Sequence, residues 1–160
     1  MVPIRELAET FSSWYSNSAA IRSSIAFAHV GGLVAGGGSA IAADRATLLA
    51  IARGGPSVAA EIDRLQGAHR MVLAGLAVVG LSGVLLLLAN FDEYLVSRVF
   101  WVKMALVAAL FLNGAWLAVA AARARRGDAK EWRTLRIACL TSLALWFATT
   151  LLGTVLPNVL

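Results

Sequence analysis

Four side chains able to do chemistry stand out in a chain that is otherwise mostly apolar: His29, Ser82, Lys103 and Thr149. An imidazole ligates iron or copper and carries protons near neutral pH, an ammonium holds acidic groups, and hydroxyls orient both. His29 lies in "SSIAFAHVGGLVAGGGSAIAAD", which carries no formal charge from Ser23 to Ala43. An ionisable group inside such a run is costly to insert and marks a functional site by default. His69 is the second histidine, and two histidines in membrane helices suggest haem, since paired imidazoles on neighbouring helices hold one iron from both sides. Depth separates this pair. With span centres near Val34 and Gly80, the two lie on opposite sides of the membrane centre, roughly 24 Å apart along the normal. A haem on His29 therefore needs another ligand nearby, or a second His29 across a dimer axis. His69, next to Arg70, reads as an interfacial or inner-surface residue.

The elements that position these groups follow from composition. The chain has 160 residues, of which 59% are hydrophobic and 14% charged, which is not the balance of a soluble domain of this size. Four segments, about 23–43, 71–91, 99–122 and 137–157, reach the roughly 20 apolar residues that a helix needs to cross a bilayer. None alternates with period two, and backbone in lipid must satisfy its own hydrogen bonds, so helices are expected rather than barrel strands. The reading is all-α: one domain, a four-helix membrane bundle. Ahead of it, Ile4, Leu7, Ala8, Phe11, Trp14 and Tyr15 recur at helical spacing after Pro3. That predicts an amphipathic helix over about 3–16, lying in the interface. The same segment has neither the basic start nor the apolar core of a secretion signal.

Basic residues collect in loops left on the cytoplasmic side. Arg45, Arg53, Arg64 and Arg70 fall in one connection, and Arg123, Arg125, Arg126, Lys130, Arg133 and Arg136 in another. The opposite face has only Arg5, Arg22 and Arg98 among several carboxylates. This predicts both termini in the periplasm of a bacterial inner membrane, and it assigns the net charge of +5 to topology and anionic lipid. No motif supports nucleic-acid binding. Within the first connection, "RGGP" from Arg53 is the expected turn and Pro56 to Gln66 an expected helical lead-in; Gly127 and Asp128 are expected to close one helix and cap the next.

Depth also places Ser82, Lys103 and Thr149 with His29 on the outer side of centre, because successive helices alternate in direction. Gly32, Gly36 and Ala40 form two small-xxx-small steps, the pattern by which helices approach closely in lipid. His29 shares that face, three residues before Gly32. In the last span Ser142, Trp146, Thr149 and Gly153 make a polar and small stripe that should face inward. Elsewhere the chemical vocabulary is thin. Cys139 is single, which excludes an intrachain disulfide and a CxxC pair, and the three methionines are scattered. Every carboxylate is expected in a connection or terminal segment, with Asp44 opening the first connection. No hydrolase or transferase motif occurs.

"RLQGAHRMVLAGLAVVGLSGVLLLL" from Arg64 and "FWVKMALVAALFLNG" from Phe100 carry a resemblance. With "HVGGL" from His29, they resemble the four-helix membrane domain of the copper resistance protein D group and related small uncharacterised bacterial membrane families. The resemblance implies copper or haem handling in the inner membrane. Two readings follow. In the first, His29 ligates haem b or copper near the periplasmic side, with Lys103, Ser82 and Thr149 completing the pocket. In the second, the chain is a non-catalytic subunit or assembly factor that packs through its glycine-rich first span as a homodimer or in a larger membrane complex.

Overall fold

The computed structural model describes residues 4–53, 66–124 and 129–158. All of these except Ser18, Asn90 and Ser97 are helical. The elements are α1 (Ile4–Asn17), α2 (Ala19–Arg53), α3 (Gln66–Ala89), α4 (Phe91–Val96), α5 (Arg98–Ala124) and α6 (Ala129–Val155), closed by a 3-10 turn at Leu156–Asn158. Four of them, α2, α3, α5 and α6, are long and apolar enough to cross a membrane. The chain is an all-α, multi-pass membrane protein. The "RGGP" turn after Arg53, the Pro56 helix and the cap at Gly127 and Asp128 lie outside the described residues.

The spans pack in the order α3, α2, α6, α5. Among the described residues, α3 and α5 do not pair along their length, so the bundle is open on one side. One end of the bundle, called the outer end from the expected topology, carries α1, α4 and the 3-10 turn; the opposite, inner end is where α2 ends at Arg53 and α5 at Ala124. α1 is a helix as its spacing predicts, with Ala8 buried against the bundle while Ile4, Leu7 and Trp14 present an exposed apolar stripe. Arg5 of α1 reaches Asp92 of α4 at 3.2 Å, and both ends are exposed, so this pair contributes little. At this end the half-buried Tyr94 stacks beside Phe100, with ring centroids 5.7 Å apart. Burial, then Tyr15 and Glu93, pushes the Tyr94 phenol above its ordinary range.

The small residues of α2 have a clear use. A methyl on Gly75 of α3 would lie 2.5 Å from Gly36 Cα and 2.8 Å from the Gly32 carbonyl. The two backbones touch here, and only glycine on both sides permits it. Ala40 leaves this seam and packs with Leu110 and Trp146, while Gly37 seats the Trp146 ring. The close approach expected at Gly32 and Gly36 is made by this chain's own α3. That also removes the geometry by which two His29 would meet through the glycines.

A second correction concerns Asp44. It does not open a loop: α2 continues for nine residues beyond it to Arg53, and Asp44 is only 4% exposed. "RATLLAIAR" has no helix breaker, and its Leu48 and Ile51 pack against Ala120, Leu135 and Cys139 at the inner end. The charge at residue 44 ends the apolar run and leaves the helix intact.

Candidate functional site

Two polar layers cross the bundle. The outer layer is built around His29 on α2. Its Nδ1 lies 3.0 Å from Ser82 Oγ on α3, and the ring also approaches Gly83, where a Cβ would come within 3.5 Å of Cε1. The Ser82 hydroxyl has one proton, and it donates it to the Val78 carbonyl at 2.6 Å. Ser82 Oγ is also 3.2 Å from the Val79 carbonyl, and with its proton held by these carbonyls the hydroxyl accepts from the Nδ1–H tautomer of His29. In that tautomer Nε2 keeps its lone pair. This is the form in which an imidazole ligates a metal or takes a proton, with the other nitrogen anchored by a hydrogen bond.

Lys103 comes from the first turns of α5 and runs over Gly153 of α6, where a Cβ would sit 3.7 Å from Nζ. A larger residue at 153 would turn the lysine away. In this position the ammonium is within Coulombic range of His29. Thr149, one turn before Gly153, is 6% exposed, and its Oγ1 has no partner among the described residues. His29, Ser82, Lys103 and Thr149 thus share the outer half of the bundle, with direct contact between the first two. His69 lies in the first turn of α3, thirteen residues before Ser82 on the same helix, or about 20 Å away along its axis.

The donor set decides between metals. Among the described residues no group of three histidine, cysteine, aspartate or glutamate side chains is placed to hold an ion. The outer layer offers one imidazole, two hydroxyls and an ammonium. Copper wants several soft or imidazole donors, and a neighbouring cation opposes it, so the layer does not suit copper. A haem iron requires only one imidazole from a helix on a given side.

Asn113, which the sequence marks as a helix-to-helix hydrogen-bonding group in the third span, belongs to an inner layer that the sequence does not assemble. That layer consists of Asp44 on α2, Cys139 and Ser142 on α6, and Asn113 on α5, all buried. Asn113 donates from Nδ2 to the Ala138 carbonyl at 3.1 Å. The Ser142 hydroxyl and Cys139 thiol lie beside the Asp44 carboxylate. One signal was available: Ser142 begins the polar stripe of the last span, and a buried hydroxyl needs a partner.

No family model, curated protein or solved structure matches the chain.

Proposed function

We propose that the chain is a small protein of the bacterial inner membrane, with both termini in the periplasm, which holds a redox cofactor in its outer polar layer. The observation that carries this reading is the His29–Ser82 bond, which orients the imidazole and leaves Nε2 as its ligating atom. Haem b is the cofactor that the donor set suits. His29 would hold the iron and Lys103 would offer a cation to the group's acidic substituents; the bound group would supply one-electron chemistry. The resemblance of the stretches from Arg64 and Phe100 to the copper resistance protein D group would fit a cofactor role, and the donors favour haem over copper. The test is the visible spectrum and metal content of protein purified from its membranes. A Soret band with stoichiometric iron is the expected result. A colourless, metal-free protein recovered with a larger complex would replace this reading with that of a non-catalytic subunit, which the bundle's open side would accommodate.

The orientation has its own test. In a Cys139→Ser background, Ser12→Cys and Asp92→Cys should react in intact cells with a maleimide that cannot cross the inner membrane, and Ala129→Cys should not. The basis is the ten bases assigned to the two inner connections. Labelling of Ala129→Cys from outside would invert the topology and place the His29 layer on the cytoplasmic side.

A further inference from the structure

The inner layer has no part in the reading above. Asp44 is 4% exposed, and its Oδ2 has no hydrogen-bond partner among the described residues. Ser142 and Cys139 lie beside the carboxylate, and neither brings a positive charge. Among the described residues Asp44 makes no ion pair: the pairs present are Arg5 with Asp92 and Arg123 with Glu131. Its neighbour on α2, Arg45, is exposed, as are Arg136 on α6 and Arg70 on α3, while α5 presents the uncharged Asn113 to this layer, its Oδ1 likewise lacking a donor. An uncompensated carboxylate in an apolar interior costs several kcal/mol, and a half-satisfied polar cluster is not retained for stability.

We infer that Asp44, Ser142 and Cys139 form a binding site for a small monovalent cation, with Asp44 Oδ2 as the binding atom and the inner end as the route of access. A proton and an alkali ion satisfy the same chemistry. In either case the carboxylate gains one positive charge from water at the inner end and no bond of the protein breaks. The site is nine residues from the end of α2, about 14 Å, so the cation reaches it without crossing the apolar centre. His29 lies fifteen residues further out on the same helix, which makes the two layers separate sites.

Infrared difference spectra of wild type against Asp44→Asn, with and without sodium at neutral pH, test this directly. A carbonyl band of a protonated carboxyl group, present in wild type in both buffers and missing from the variant, assigns a proton. A carboxylate band that shifts when sodium is added, and is likewise missing from the variant, assigns an alkali ion. An ionised carboxylate that ignores sodium overturns the site, since it would mean that a fixed protein cation already pairs with Asp44. Ser142→Ala keeps the carboxyl group and serves if Asp44→Asn does not fold. It should move the Asp44 band because the polar neighbour is lost, and an unmoved band overturns the assignment of the cluster.

Discussion

Gly75→Leu separates α2 from α3 and costs the bundle about 3 kcal/mol or more, at the upper end of what overpacking does in a well-packed interior. The reason is specific to this seam. At Gly75 the added carbon meets backbone atoms of Gly36 and Gly32, which cannot rotate away as a flexible side chain would. Because α2 carries His29 and α3 carries Ser82, the same change breaks the bond that orients the imidazole. Leu112→Ala on α5 is the control: that side chain is 73% exposed, so its loss should move stability by no more than about 0.5 kcal/mol. Thermal unfolding in a single detergent compares the two. Equal midpoints for Gly75→Leu and wild type would show that the backbones do not meet here.

The four spans and the outer layer were legible because lipid makes strong demands. Long apolar runs without period two leave only helices, and a histidine or lysine inside them is conspicuous. Counting residues from each span centre then assigns depth and groups His29, Ser82, Lys103 and Thr149 on one side of centre; of these, His29 and Ser82 are in direct contact. What a stripe of glycines receives was not legible. Gly32 and Gly36 show that something comes close, and nothing in α2 says that it is Gly75 of the same chain. Asp44 was missed for a different physical reason. Hydropathy treats a charge as the edge of a span, whereas a helix ends only when its backbone hydrogen bonds do, and burial of Asp44 depends on residues of α6 nearly one hundred positions away. The short helix α4 was hidden in the same way, inside a connection too brief to show periodicity.

The second large effect concerns the two histidines. His29→Ala removes the ligating nitrogen and should abolish cofactor binding, whereas His69→Ala, at the other end of the bundle, should leave it intact. Lys103→Met keeps most of the side-chain volume and removes the charge, so it should weaken retention of the cofactor or shift its spectrum without eliminating the iron ligand. Ser82→Ala belongs between these: the imidazole stays but its anchor is lost, and loss of such an outer partner typically costs about 10- to 100-fold in affinity at metal sites.

The most direct measurement of whether the outer layer is the working site is the visible absorption spectrum of His29→Ala and His69→Ala, each purified beside wild type in the same detergent and normalised to protein. A Soret band present in wild type and His69→Ala and absent from a folded His29→Ala is the result expected here. A band that survives in His29→Ala and disappears in His69→Ala would contradict it, and would move the site to the inner end of the bundle.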